Sequence, residues 1–489
     1  MRARRYIAGA AVALVAVTSA FAVQFMAAAD QASFSSADVG FAEGSATAGL
    51  VGRLDAMDAY VGDRKPILRL DLNWQGVQPT AGATPDFSAL DPVVDAAYAR
   101  GIRVDLILAY SARWANGGKD INWFPTDDNA WRSIVDSTVR YFGDKVAAYE
   151  VWNEPNFTKF GQYADGSVAA RRLRYWQLTK MAYERVHANC SDCVVLAGAS
   201  GAGDAISATR NDNESAQWLD WAYANGYGTY FDAVAHHPYP AWNMGRSPSR
   251  AECATRWWAM FGPADEKCGE LAAVRAVMVK RGDSAKKIWG TEFGYPTEGT
   301  EMTIKPNATQ IRDHLEEGIR TWRALDFTGP LFVYSFQDSP GCTPTTSAEC
   351  HFGLTTTAGT PKQPIYDDVK KALTDSWQRT LAPGRSLHPQ SALRSADGRF
   401  QLWLQGDGNL VLYMGSAVLW KKTGLKGVKL TNSTNGNLVL LDAAGSTVWS
   451  TGTSTKGQSD LNLQNDGNLV LYPRSTPTKA SWSTGTWGH

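Results

Sequence analysis

Two glutamates stand where carboxylates commonly do acid, base or nucleophilic chemistry. Glu154 lies in the stretch YEVWNEPN, just after an apolar run and before a proline, and Glu292 lies in KIWGTEFGYPT, at the end of another apolar run. Cleavage of a glycosidic bond needs two carboxyl groups, one to protonate the leaving oxygen and one to attack or support the anomeric carbon. The sequence therefore predicts a catalytic pair, provided that the fold brings the two residues together.

The elements that would position this pair alternate along residues 38–378. Short apolar or β-branched runs predict strands, and longer amphipathic patterns predict helices. The predicted strands are 39–42, 67–72, 102–108, 146–152, 194–197, 231–236, 287–291 and 331–336. The predicted helices include 89–100, 129–141, 169–188, 270–280 and 309–324. Eight such units predict an α/β fold, the (β/α)8 TIM barrel, whose reactive groups lie at the carboxyl ends of the strands.

The net charge and the aromatic content indicate which class of ligand the protein binds. The 489 residues contain 48 basic and 48 acidic side chains, so no net field of one sign favours nucleic acid. The chain also carries 19 Trp and 18 Tyr, whose flat rings with a polar tip suit amphipathic, uncharged ligands such as sugars.

The first 29 residues have the pattern of an export signal. Three arginines precede an apolar run at 7–23, and alanines at 27–29 offer a cleavage site. We expect residues 1–29 to be removed and the protein to be secreted, with no membrane association afterwards. An uncleaved anchor is the alternative, since the apolar run approaches the length that spans a bilayer.

The cysteines form local pairs, which in an exported chain predict disulfides. The pairs are Cys190 with Cys193, Cys253 with Cys268, and Cys342 with Cys350. Spacing alone leaves the connectivity open, because six cysteines can pair in 15 ways. A metal site is the alternative, but the pairs lack histidines at zinc-ligand spacing. We expect no metal and no organic cofactor.

Five motifs along residues 38–375 resemble those of known enzymes. They are Arg69 in LRLDLNW, then VWNEPN, HHPYP, TEFGYPT and VYSFQD. Together they resemble the retaining glycoside hydrolases of clan A, most closely family 39 and related cellulase-like secreted enzymes. The resemblance implies that Glu154 is the general acid/base and Glu292 the nucleophile.

The same resemblance implies supporting roles around the pair. Asn153 would bind the 2-hydroxyl of the sugar that is cleaved, and His237 would bind other sugar hydroxyls. Arg69 and Tyr239 would donate hydrogen bonds to Glu292 and keep it ionised.

Each supporting residue also has a structural alternative. Arg69 could pair only with Asp71 or another barrel carboxylate, and His237 could be a hydrogen-bonded core histidine. The clan commonly has Trp on strand eight below the cleaved sugar, where this chain offers Tyr334 and Phe336. Further rings that could stack on sugars, or simply pack, are Trp74, Trp114, Trp123 and Trp242.

A different pattern follows the barrel region. Residues 379–390 have the Pro, Gly and Ser content of a linker, and a repeat occupies 384–489. Its copies align on Asn409, Asn437 and Asn468, about 30 residues apart, which predicts three equivalent β units. One Trp follows each Asn, at Trp420, Trp449 and Trp482. The alternative is a β domain whose Asp-Gly-Asn turns only shape hairpins.

The repeat resembles the bulb-type mannose-binding lectins, which are all-β domains with a three-fold β-prism. Their motif places Gln, Asp, Asn, Val and Tyr at alternate positions. Two copies match fully, at Gln405, Asp407, Asn409, Val411 and Tyr413, and at Gln464, Asp466, Asn468, Val470 and Tyr472. The middle copy has Ser433, Asn435 and Leu441 instead of Gln, Asp and Tyr, which predicts an inactive site.

These features predict a secreted retaining β-glycoside hydrolase that acts on a polysaccharide, with endo action favoured. The lectin module would bind a mannose-containing glycan and so target the enzyme. One alternative is an exo-acting enzyme like the β-xylosidases or β-glucosidases. Another is a non-catalytic carbohydrate-binding or adhesion protein, although both glutamates are kept beside Asn153 and Tyr239.

Overall fold

The computed structural model describes most of the chain from residue 34 onward. The described ranges are 34–44, 48–62, 64–201, 215–239, 270–300, 302, 305–325, 327–340, 342–343, 345–374, 380–389, 391–395, 399–414 and 417–489. Within them, Ser35–His489 belong to one unit. The predicted leader, 1–29, lies outside these ranges. Among the helices that they contain, none has the length and hydropathy to cross a membrane.

The first part of the described chain is a closed barrel of eight parallel strands. The strands are β1 Val39–Gly44, β2 Ile67–Asp71, β3 Arg103–Ile107, β4 Ala148–Glu150, β5 Val194–Gly201, β6 Ala233–His237, β7 Ile288–Phe293 and β8 Thr328–Val333. Each strand pairs with the next in sequence, and β1 pairs with β8 to close the barrel. Strands β6 and β8 are buried along their whole length, as expected when helices cover the outside of a parallel barrel. The predicted TIM barrel is confirmed.

Helices lie between the strands in the described ranges. They are α1 Ala48–Val61, α2 Trp74–Val77, α3 Asp91–Ala99, α4 Asp128–Phe142, α5 Val168–Asn189, α6 Ser215–Ala224, α7 Glu270–Lys280, α8 Ala308–Ala324 and α9 Ile365–Thr374. Side-chain caps fix several starts. Asp127 accepts backbone N–H bonds at the start of α4, Ser167 does so for α5, and Asn307 forms a capping box with Gln310 at α8.

Two of the predicted disulfides are present. Cys190 bonds to Cys193, just after α5, and Cys342 bonds to Cys350 in the loop after β8. Cys253 and Cys268 lie outside the described ranges. No cysteine in the described part of the chain is free.

The C-terminal part is an all-β domain of three four-stranded sheets. Its strands are β9 Thr380–Leu381, β10 Ser386–Leu387, β11 Ser391–Arg394, β12 Phe400–Leu404, β13 Leu410–Met414, β14 Ala417–Lys422, β15 Lys429–Asn432, β16 Leu438–Leu441, β17 Thr447–Ser450, β18 Ser459–Leu463, β19 Leu469–Pro473 and β20 Trp482–Ser483. The ring centroids of Trp420, Trp449 and Trp482 lie 5.8 to 6.0 Å apart, so each repeat contributes one ring to a common centre. The predicted three-unit prism is confirmed.

The predicted linker, 379–390, differs from the expectation. Strand β9 in it pairs with β18, and strand β10 pairs with β15, so its described residues, 380–389, are part of the prism. The reason is apolar burial, because Leu381 and Leu387 are almost completely buried in the prism core. Arg385, between the two strands, forms ion pairs with Asp313 and Glu316 on α8 of the barrel.

Candidate active site and repeat motifs

The carboxyl ends of β4 and β7 bring Glu154 and Glu292 to the same place. The chain turns sharply after β4. Trp152 and Glu154 have φ angles of 67° and 41°, which residues other than glycine rarely adopt. Backbone strain of this kind persists where the surroundings hold it, and it is concentrated at functional sites. His237 Nδ1 lies 3.0 Å from Glu154 Oε1 and 3.5 Å from Glu292 Oε2, so one ring nitrogen joins both carboxyl groups.

Glu292 is surrounded by groups that favour its ionised form. Arg69 Nη1 lies 2.7 Å from Oε1, and the Tyr239 hydroxyl donates to Oε2 at 2.7 Å. Burial alone would raise the pKa of Glu292, but the charges of His237 and Arg69, together with the Tyr239 and Arg69 hydrogen bonds, hold it below its usual value. A partly buried, ionised carboxylate at a strand end has the properties of a nucleophile.

Arg69 is held by a residue that the sequence did not identify. Its Nε and Nη2 donate to the two oxygens of Glu150 at 2.8 and 2.7 Å, a bidentate pair in which Glu150 is completely buried. Nη2 also donates to Asn153 Oδ1 at 3.2 Å. A charged residue inside a buried strand needs a partner of opposite charge. The position of Glu150 within the apolar run of strand β4 could therefore have predicted such an ion pair.

A second buried acid lies behind this ion pair. Asp105 on β3 is completely buried. Burial, followed by the charge of Glu150, raises the pKa of Asp105 well above its usual value, against the effect of Arg69. Arg69 forms its ion pairs with Glu150 and Glu292.

His237 was expected to bind sugar hydroxyls, and this stays a prediction, while the structure places one of its ring nitrogens against the two carboxyl groups. The side chain is completely buried, and its Nδ1 contacts Glu154 and Glu292. Burial lowers the pKa of His237, but the two carboxylates outweigh it and raise the pKa above the usual value. The Nδ1 side of the ring therefore acts on the two carboxyl groups, and Nε2 has no partner in the described part of the chain.

Two predicted aromatic contacts are core residues. Trp74 is 1% exposed and packs against Trp114 and Trp131. Phe336 is 3% exposed and packs edge-on against Tyr60. Neither ring can stack on a sugar, because a stacking ring needs an open face. Trp114 is only partly buried, so it stays a predicted sugar contact.

Three further side chains line the site. The Tyr110 hydroxyl accepts a bond of 3.1 Å from Asn153 Nδ2, which leaves Asn153 fixed between Tyr110 and Arg69. Asp71, at the end of β2, has its pKa raised to about 6 by burial and by nearby carboxylates, against the effect of Arg69. Tyr334 packs edge-on against Tyr239, so it and not Phe336 is the strand-eight ring next to the pair.

Removing the Tyr239 hydroxyl is expected to change the pH dependence of the reaction. Its hydrogen bond favours ionised Glu292, so in Tyr239→Phe the acid limb of kcat/KM should move about one unit to higher pH. Tyr295→Phe is a matched control, since that buried hydroxyl has no partner in the described part of the chain. An acid limb that stays in place in Tyr239→Phe would contradict this role.

The repeats carry two complete motifs with the same internal bonds. Gln405 Nε2 donates to the Tyr413 hydroxyl at 2.9 Å, and Gln464 Nε2 donates to the Tyr472 hydroxyl at 3.3 Å. The aspartate of each motif accepts the backbone N–H two residues on, at 3.0 and 2.9 Å. The motif valines, Val411 and Val470, are almost completely buried. The middle copy has no Gln and no Tyr for this bond.

The described ranges contain no group of His, Cys, Asp and Glu side chains arranged to hold a metal ion.

The repeat region has relatives of known type. It is 36% identical over 106 residues to the mannose-specific lectin TAR1 of Colocasia esculenta, which covers 22% of this chain and 45% of that protein. It is 37% identical over 94 residues to a mannose-specific lectin of Aloe arborescens, which covers 18% of this chain and 82% of that lectin. The match spans less than half the length of the Colocasia relative. Its C-terminal region belongs to the mannose-specific lectin family.

No protein-family model matches the chain. A structure of a family 39 glycoside hydrolase from the gut symbiont Bacteroides cellulosilyticus WH2 is similar, with a TM-score of 0.51 and 18% sequence identity. The similarity covers 88% of this chain and 79% of that one. The chain therefore has a glycoside-hydrolase-like barrel fold followed by a lectin domain.

Proposed function

We propose that the protein is a secreted, retaining β-glycoside hydrolase that cleaves within a polysaccharide and is held on glycan by its lectin domain. The observation that carries this proposal is the Glu154–His237–Glu292 arrangement at the carboxyl end of the barrel. The similarity of the barrel to a glycoside hydrolase supports it at the level of fold.

The reaction follows from the groups present. Ionised Glu292 attacks the anomeric carbon, the bond to the leaving oxygen breaks, and Glu154 gives its proton to that oxygen. The product is a glycosyl ester of Glu292. Glu154, now a carboxylate, takes a proton from water, and the resulting hydroxide replaces Glu292 at the same carbon. The two displacements together retain the anomeric configuration.

The distances favour retention over inversion. Both carboxyl groups contact one nitrogen, at 3.0 and 3.5 Å, so these two oxygens lie at most about 6.5 Å apart, the sum of the two distances. Inverting enzymes hold their carboxyl groups farther apart, in order to admit a water molecule between them.

The test is a panel of β-linked substrates. Purified protein should release reducing ends from at least one soluble β-glycan, and NMR of an early sample should show the β-anomer as first product. Internal cleavage should produce oligosaccharides before monosaccharides, whereas an exo enzyme would release single sugars from the start. Absence of turnover on every polysaccharide and aryl β-glycoside tested would contradict the enzymatic proposal.

We further propose that the leader directs export. The three-part pattern of residues 1–29 supports this, as do the Cys190–Cys193 and Cys342–Cys350 disulfides, which are typical of oxidising compartments. Expression of the full chain in a secreting host, followed by N-terminal sequencing of the protein in the medium, tests both export and cleavage.

The lectin domain is proposed to supply retention on mannose-containing glycan through two motifs. Two weak sites on one domain raise retention through effective concentration. The double variant Asp407→Asn, Asp466→Asn should lose at least about tenfold in retention on immobilised mannan, with hydrolysis of small aryl glycosides unchanged. Asn keeps the Oδ1 that accepts the local N–H, so the turns should still form.

Asp442→Asn is the matched control for this variant, because Asp442 accepts similar turn bonds outside both motifs. It should retain mannan binding. Equal retention of the double variant and the wild type on mannan would show that these motifs do not hold the enzyme there.

A further inference from the structure

The segment after each repeat Trp folds back over the sugar motif. In the first copy, the Gly424 N–H donates to Asn409 Oδ1 at 2.8 Å. In the third copy, the N–H groups of Gly485 and Thr486 donate to Asn468 Oδ1 at 3.0 and 3.2 Å. The side chain of the motif Asn therefore fixes this returning segment against the motif.

The returning segment of the third copy is tied down on both sides of Trp487. Before it, the Thr486 hydroxyl donates to the carbonyl of Gly467 at 2.6 Å. After it, the N–H groups of Gly488 and His489 donate to the carbonyl of Asp466 at 3.1 and 3.3 Å. These bonds hold the backbone on both sides of Trp487 against Asp466 and Gly467 of the motif turn.

The three copies differ at this position. When they are aligned on Gly424, Gly452 and Gly485, the residue two places on is Lys426, Ser454 or Trp487. All three are exposed. The three-ring centre of the prism already has one Trp from each repeat, so Trp487 is not needed for packing.

Trp487 is 70% exposed, more than any other large apolar residue in the described ranges. An exposed indole leaves a flat ring face available to a ligand. The residues on either side of it are bonded to Gly467 and Asp466. Asp466 belongs with Gln464 and Tyr472 to the motif of this copy, whose polar groups suit sugar hydroxyls. A flat ring next to such groups suits the apolar face of a second pyranose.

We propose that the third repeat carries an extended glycan site, in which the polar motif binds one mannose-type sugar and the Trp487 ring stacks on the neighbouring sugar of the same oligosaccharide. The first repeat, with Lys426 at this position, is then a site for a single sugar. This inference rests on the proposed lectin function of the motifs. The two complete motifs then differ in the length of glycan that they bind. The motif of the third repeat sets the preference for longer glycans.

The experiment uses the full chain with Asp407→Asn as background, so that the third site is measured alone. Isothermal titration with methyl α-D-mannoside and with a set of α-linked mannobioses gives the affinities. At least one mannobiose should bind about tenfold more tightly than the monosaccharide. Trp487→Ala should remove that gain without changing the monosaccharide affinity, and Trp487→Phe should keep most of it. Lys426→Ala should change neither value.

Each other outcome contradicts a defined part of the proposal. If Trp487→Ala binds the mannobioses as tightly as the background protein, the extended site is wrong while the lectin function stands. If Trp487→Ala changes the mass measured by light scattering but neither affinity, the ring is a contact between copies of the chain. If the background protein and wild type bind no mannoside, the lectin function fails and the extended site with it.

Discussion

Replacing Glu292 with Ala is expected to lower kcat on the best aryl β-glycoside by about 10⁵-fold, because Glu292 is the group proposed to form the glycosyl ester. The substituted site keeps Arg69 and Tyr239, whose hydrogen bonds to Glu292 are lost. KM should change little, since the methyl side chain removes no binding surface for the rest of the sugar. Initial rates under single-turnover and steady-state conditions measure both constants.

Glu298→Ala is the matched control for this variant. Glu298 is an exposed carboxylate in the loop after the same strand, β7, and its loss should leave kcat within about twofold. Activity of Glu292→Ala equal to that of the wild type would show that the nucleophile is another residue.

Replacing Glu154 with Ala is expected to have the second-largest effect, and its effect should depend on the leaving group. A poor leaving group needs the proton of Glu154, so kcat should fall about 10³- to 10⁴-fold. A dinitrophenyl group leaves without that proton, and the glycosyl-enzyme then accumulates because water lacks its base. Azide needs no base, so it should restore turnover and yield a β-glycosyl azide, detected by NMR.

The wild type and Glu298→Ala should show no rate increase with azide. Absence of rescue in Glu154→Ala, in protein whose fold is verified by circular dichroism, would count against the acid/base role. Formation of an α-glycosyl azide would count instead against retention, because it indicates a single displacement.

The eight barrel strands were predictable because strands buried on both faces are continuous apolar runs. Helices α4, α5 and α8 were predictable because each has an apolar stripe and a capping residue. The predicted linker was misassigned for a physical reason. Strands β9 and β10 have only two residues each, and a Pro- and Gly-rich sequence does not reveal that Leu381 and Leu387 are buried against other strands.

The site residues that belong to a sequence motif were predictable. Residues whose role depends on the direction of the side chain were not. Glu154, Glu292, Arg69 and Tyr239 come together as the motifs imply. Glu150 was not predicted, because its role depends on an ion pair with Arg69, which lies on a different strand. For Trp74, Phe336 and His237, residue type alone could not show which side chains are turned into the core.

The Arg69–Glu150 pair helps to keep Glu292 ionised, as its proposed role as nucleophile requires. Glu150 fixes the guanidinium through two hydrogen bonds, which leaves Nη1 directed at Glu292. Since a fixed, desolvated cation needs no reorganisation during the reaction, the site is prepared for the charge of Glu292 before substrate binds.

The most direct measurement is covalent labelling with 2-deoxy-2-fluoro β-glycosides that carry a dinitrophenyl leaving group, across the mannosyl, glucosyl and xylosyl series. The fluorine slows both the formation and the hydrolysis of the glycosyl-enzyme. The good leaving group speeds only its formation, so the ester accumulates. We predict a mass increase of one fluoroglycosyl group on the intact protein, located by peptide mass spectrometry at Glu292 and absent in Glu292→Ala. A label on another residue, or an active enzyme that never forms an adduct and inverts the anomeric centre, would contradict the assignment.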